Sequence, residues 1–188
     1  MTQKPVIFII SGATGAGKTS VARALAQQFE KSVHIPVDEL RDMVVTGMAH
    51  PIPVRTAEAE RQLLLARQVA AYMAELYAEQ DFVVIVDDVL FPEEAAQYFA
   101  AASQRFSMCK IFLIPVWEVV LTQNIERGQG RFDVAKWHDP LHALYTQLRQ
   151  SPFAENGWMI LDTSSLTVAE TVQTISESAN LNKFQMPS

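Results

Sequence analysis

The sequence predicts a three-layer α/β fold, a parallel sheet covered by helices on both faces. Five short apolar runs alternate with segments of helical period: Val6–Ile10, Ser32–Val37, Phe82–Val86, Lys110–Val116 and Trp158–Leu161. The runs VIFII and FVVIV show no polar alternation, the pattern of strands buried on both faces. A glycine-rich turn follows the first run, at the strand-to-helix junction where open α/β sheets bind their ligands. Strands interleaved with helices imply right-handed crossovers.

Each helix has its own signal. Val21, Leu25 and Phe29 recur at helical spacing after the glycine turn, and Leu65, Val69, Tyr72 and Leu76 do so within a long segment from Glu58 to Glu79. Asp139 before Pro140 predicts an N-cap and first-turn proline for a helix carrying Leu141, Leu144 and Leu148. Thr167 and Glu170 form a T-x-x-E capping box ahead of Val168, Val172 and Ile175. Gly47–Arg55 and Arg127–His138 read as irregular. No repeat or linker interrupts the 188 residues, so one domain over 1–188 is expected.

A net charge of −6 argues against a protein that grips duplex nucleic acid by neutralising phosphates. The lone cysteine, Cys109, excludes an internal disulfide and fits a buried strand thiol. No apolar run approaches the ~20 residues of a membrane span, and the residues before Ser11 do not form a signal peptide. A soluble cytoplasmic protein is the expectation, with oligomeric state not encoded.

The glycine turn carries the strongest motif. Gly12, Ala13, Thr14, Gly15, Ala16, Gly17, Lys18 and Thr19, followed by Ser20, satisfy G-x-x-x-x-G-K-[ST]. Such a loop aims backbone N–H groups at one centre, the following helix N-terminus adds positive potential, and Lys18 reaches the outer phosphates of a triphosphate. Thr19 offers its hydroxyl to Mg²⁺. A dinucleotide-binding turn is the rival, supported by Asp38 about 20 residues on. Its glycines would run G-x-G-x-x-G, however, and it has no use for Lys18 and Thr19.

Carboxylates after the second and third strands select the chemistry. Asp38 closes the second run, and Asp87 and Asp88 close the third. Beside the glycine loop, one such acid can hold Mg²⁺ or its waters and another can take the proton of an attacking hydroxyl. The residues alone do not choose between Asp87 and Asp88.

GATGAGKT, Asp38-x-x-Arg41 and VVIVDDV together resemble small P-loop kinases of the chloramphenicol phosphotransferase-like group. Gluconate- and shikimate-kinase-like enzymes, zeta-toxin kinases and polynucleotide 5′-hydroxyl kinase domains are related to that group. The resemblance implies a five-stranded parallel sheet ordered 2-3-1-4-5 and Mg²⁺- and ATP-dependent phosphorylation of a hydroxyl on a small molecule. It makes Asp38 the base or hydroxyl ligand, Arg41 a substrate or phosphate contact, Asp87 the acid supporting Mg²⁺ and Asp88 a group facing the substrate. Arg127 and Arg131 fall where such kinases carry a short lid, here about 127–138, and are the candidates for the charge on the transferring group.

The acceptor site is expected within about 38–65. Arg55 and Arg61 there are either anion contacts or surface charges. His138 and His142 stand four apart, but the Asp139–Pro140 signal places a helix start between them, which does not favour metal ligation. Two readings of another kind stay open: a nucleotide-dependent switch that hydrolyses without an acceptor, and a nucleic-acid end kinase.

Overall fold

The computed structural model describes residues 5–51, 54–127 and 134–179. Its strands are β1 (Val6–Gly12), β2 (Ser32–Pro36), β3 (Val83–Asp87), β4 (Ser107–Leu113) and β5 (Met159–Leu161). They form one sheet in the order β2-β3-β1-β4-β5, and every pairing is parallel. β1 is therefore the centre of the sheet, and the ends of β3 and β4 flank the glycine loop that follows it.

The helices are α1 (Lys18–Ala26), α2 (Val37–Asp42), α3 (Ala57–Ala78), α4 (Pro92–Tyr98), α5 (Ala100–Arg105), α6 (Trp117–Arg127), α7 (Val134–Gln150) and α8 (Val168–Ser178). Strand alternation divides β1 between two cores. Val6, Phe8 and Ile10 pack with Val21 and Leu25 of α1 and with Val172 and Ile175 of α8. Ile7 and Ile9 face the opposite way, toward the alanines of α3, Ala95, Phe99 and Ala102 of α4–α5, and Leu148 of α7. The capping box of α8 is formed, with Glu170 N donating to Thr167 Oγ1 and Thr167 N to Glu170 Oε2.

Three expectations are corrected. β4 begins at Ser107 rather than Lys110 and ends at Leu113 rather than Val116. Ser107, Met108 and Cys109 pair in register with Val6, Ile7 and Phe8, while Pro115 has no N–H to continue the ladder. Asp139 is not an N-cap: α7 starts by Val134 and Pro140 lies inside it. The cost of an interior proline is offset by burial of Leu141, Tyr145 and Leu148 on the same helix. His138 and His142 consequently do share a face, their rings parallel at 6.2 Å and both edge-on to Trp117.

α3 forms over the segment whose spacing predicts a helix, and it buries a different stripe from the bulky one. Its buried face is Ala59, Gln62, Leu63, Ala66, Arg67, Ala70, Ala71, Ala74 and Ala78. Leu65, Val69, Tyr72 and Leu76 point outward instead. Small side chains let the helix axis approach the sheet closely, so the alanine stripe wins the inward position over the bulkier one.

Candidate active site

The glycine loop leaves β1 at Gly12 and runs through Ala13, Thr14, Gly15, Ala16 and Gly17 into the first turn of α1, which holds Lys18, Thr19 and Ser20. Gly15 (φ 89°) and Gly17 (φ 84°) occupy the left-handed region, where a Cβ is strained. At Gly15 a Cβ would also run into Asn124 Nδ2 and stand 2.8 Å from Val120 O. Gly17 is the N-cap of α1 and supplies no side-chain cap, so the first N–H groups of the helix are available to an anion. Lys18 is buried and folds back across the loop, its Nζ donating to Ala13 O at 3.1 Å.

The adjacent aspartates have different partners. Thr19 Oγ1 donates to Asp87 Oδ2 at 2.8 Å, and His34 Nε2 lies 2.5 Å from Asp87 Oδ1. A threonine hydroxyl beside a buried carboxylate is a hard-oxygen donor set that suits Mg²⁺, which takes one or two protein ligands and keeps waters and phosphate oxygens for the rest. Among the described residues no group of three or more His, Cys, Asp or Glu side chains is arranged to hold a metal ion by itself.

Asp88 is engaged elsewhere. Arg67 Nε donates to Asp88 Oδ2 at 2.7 Å, Nη1 to Glu94 Oε1 at 2.6 Å and Nη2 to Val89 O at 2.6 Å. Burial pushes the Asp88 carboxyl above its ordinary range, with Arg67 opposing and the charge of Asp38 adding to the rise. Burial works against the Arg67 cation, but Asp88 and Glu94 more than compensate and hold its pKa up. Glu94 also accepts from Phe91 N at 2.9 Å. Arg67 thus pins the loop after β3 to α3.

Asp38 lies in the first turn of α2 with its side chain 72% exposed, and Arg41 Nη1 donates to its Oδ1 at 3.2 Å. Arg41 itself is buried, and its Nε and Nη2 have no hydrogen-bond partner among the described residues. Buried donors left without acceptors are costly, so this guanidinium is prepared for an incoming oxygen. Arg55 is exposed and held by Glu60, and Arg61 by Glu58. The Arg61 position is therefore a surface ion pair.

Several of these groups line a cavity of about 530 Å³. Thr14 of the glycine loop and Asn124 of α6 line one part of it; Asp38, Arg41 and Asp88 line it too, as does Arg55. Leu63, Phe91, Leu121, Trp137, Leu141 and Leu144 supply an apolar wall. The structure so brings Asp38, Arg41 and Asp88 to one cavity next to the loop. Arg131 and the side chain of Arg127 lie outside the described residues, so the lid assignment rests on the sequence.

Three participants carry no local sequence signal. Arg67 is a lone cation on the alanine face of α3. His34 was the one imidazole in an apolar strand beside the aspartate pair. Asn124 donates to Thr14 O at 2.7 Å and to Val120 O at 2.8 Å, fastening α6 to the glycine loop; nothing local in the sequence signals it.

The family model described as Zeta toxin matches residues 1–111. No curated protein is similar in sequence. Solved structures share the fold over nearly the whole chain. A tunicamycin resistance protein from Deinococcus radiodurans has TM-score 0.62 at 18% identity, covering 94% of this chain and 96% of its own. Shikimate kinase from Acinetobacter baumannii, in complex with shikimate, has TM-score 0.61 at 20% identity, with 97% and 96% covered. Shikimate kinase from Bacteroides thetaiotaomicron has TM-score 0.64 at 18% identity, with 94% and 99% covered.

Proposed function

The chain belongs to the Zeta toxin family, and on that premise we propose that it is an ATP- and Mg²⁺-dependent kinase that phosphorylates a hydroxyl of a small molecule. The observation that carries the reading is a cavity beside the glycine loop that Thr14, Asp38, Arg41 and Asp88 line together, with Thr19 bonded to Asp87, the residue before Asp88. A carboxylate exposed to the cavity, next to a phosphate cradle, is what an acceptor hydroxyl needs and what simple hydrolysis does not require.

The residues divide the work. N–H groups of Gly15 to Thr19 cradle the phosphates, and Lys18 leaves Ala13 O to reach their outer oxygens. Mg²⁺, when bound, neutralises charge on the β- and γ-phosphates. Thr19 and Asp87 would hold it, Asp87 directly or through water, with His34 fixing the second carboxylate oxygen. Asp38 accepts the proton of the acceptor hydroxyl. Arg41 gives its spare N–H groups to an acceptor or phosphate oxygen, while Asp88 faces the acceptor from the anchor of Arg67. Arg127 and Arg131 close over the nucleotide, excluding water and stabilising the charge on the transferred group.

The cavity supports an acceptor of modest size. Its wall is largely apolar, and Arg55 and Arg67 are already neutralised by Glu60, Asp88 and Glu94. It therefore offers a poor binding site for a long polyanion. The test is incubation with Mg·ATP and a broad panel of hydroxylated metabolites, scoring ADP release above the acceptor-free rate. A hydroxylated compound that raises the rate supports the reading; steady hydrolysis that no compound stimulates contradicts it and favours a switch.

A further inference from the structure

α3 is apolar on two faces, and among the described residues only one of them packs against the rest of the chain. Leu65 (51% exposed), Val69 (40%), Tyr72 (65%) and Leu76 (44%) form a stripe at spacings of four, three and four residues on the side away from the sheet. Leu64 and Tyr77 flank it, each more than a third exposed. Isolated surface hydrophobics are ordinary. A continuous seam over three turns, with the spacing of a coiled-coil contact, marks an interaction surface.

We infer that this seam joins two copies of the chain, α3 against α3, antiparallel about a two-fold axis. The seam is self-complementary in that arrangement. An axis midway between Leu65 and Leu76 sets Leu65 against the partner's Leu76 and Val69 against the partner's Tyr72. Charge selects the direction. Arg61 and Glu79 lie on the same flank of the helix at opposite ends of the stripe. Antiparallel pairing brings Arg61 within about 1.5 Å, along the axis, of the level of the partner's Glu79. Parallel pairing would keep Arg61 at the level of the partner's Arg61, about five turns from the partner's Glu79, and so forgo that pair. Each end also carries both signs, Glu58 with Arg61 at one and Glu75 and Glu79 with Arg105 at the other, so the network can exchange across the interface.

The exposed surface of these six side chains is on the order of 500–600 Å² per copy, somewhat below the ~800 Å² that each side of a standard interface contributes. A seam of this size fits a weak, reversible dimer rather than an obligate one. No residue of the seam belongs to the glycine loop or lines the cavity, so pairing does not obstruct either.

Sedimentation velocity on the full chain from about 1 to 200 μM tests the inference. The expected result is a concentration-dependent shift from monomer to dimer that Tyr72→Glu abolishes, with far-ultraviolet circular dichroism and Mg·ATP binding unchanged. Arg61→Glu alone should weaken association about three- to tenfold, and Arg61→Glu with Glu79→Arg should restore it. A wild type that stays monomeric at the highest concentration overturns the proposal. So does a dimer that survives Tyr72→Glu, and so does a charge-swap pair that is no better than the single variant.

Discussion

Arg67 Nε and Asp88 Oδ2 are 2.7 Å apart in the interior between α3 and the loop after β3. A methionine at 67 would fill much of the volume but leave Asp88 and Glu94 without their cation. Removing one partner of a buried ion pair costs about 3–5 kcal/mol, a fall in Tm on the order of 10 °C for a chain of this size. Arg67→Met combined with Asp88→Asn should melt higher than Arg67→Met alone, because less unbalanced charge is then buried. Equal melting of wild type and Arg67→Met in a thermal scan would remove the clamp from the account.

Thr19 and Asp87 are tied at 2.8 Å. If they serve Mg²⁺, Asp87→Asn should raise the Mg²⁺ concentration needed for half-maximal nucleotide affinity and lower turnover about 10²- to 10³-fold. Titrating a fluorescent ATP analogue at several Mg²⁺ concentrations separates the two effects. Affinity should stay close to wild type in the absence of metal.

Gly15 tests the attachment of α6 to the glycine loop. Gly15→Ala places a methyl against Asn124 and Val120 O at a φ of 89°. Nucleotide affinity should fall by about tenfold or more, the equivalent of 1–3 kcal/mol of local strain. Adding Asn124→Ala should recover only part of it, since the backbone strain and the Val120 contact persist. Full recovery would locate the whole penalty in Asn124.

Burial pushes the Cys109 thiol from 9.0 to about 11. Its thiolate fraction at pH 8 is then about a hundredfold below that of the same thiol in the unfolded chain. Iodoacetamide labelling of the native protein should be correspondingly slow and rise about tenfold per pH unit toward pH 11. The stability linked to this group has a fixed sign. A raised folded-state pKa gives a contribution that is complete below pH 9 and lost as pH climbs to about 11.

What the sequence made legible was local. The glycine loop, the strand preceding it and the capping box of α8 are specified by residues within a few positions of one another, and they form where the pattern puts them. Asp38 and Arg41 were legible because strand ends in a parallel sheet must gather on one edge. What stayed hidden depends on contacts distant in the chain. Arg67 meets Asp88 across 21 residues, His34 meets Asp87 across 53 and Asn124 meets Thr14 across 110. On α3 the period itself was correct, but two stripes share it. Only the closeness of the sheet decides that the alanines go inward. At Pro140 a local capping signature was overridden by the burial of Leu141, Tyr145 and Leu148 on a longer helix.

The most direct measurement follows the γ-phosphate of radiolabelled ATP in wild type, Lys18→Ala and Asp38→Ala, with an acceptor identified from the panel. The account predicts label on the acceptor for wild type only. Lys18→Ala should lose nucleotide binding, whereas Asp38→Ala should bind Mg·ATP normally and transfer about 10²- to 10⁴-fold more slowly. Transfer by Asp38→Ala at the wild-type rate would contradict it.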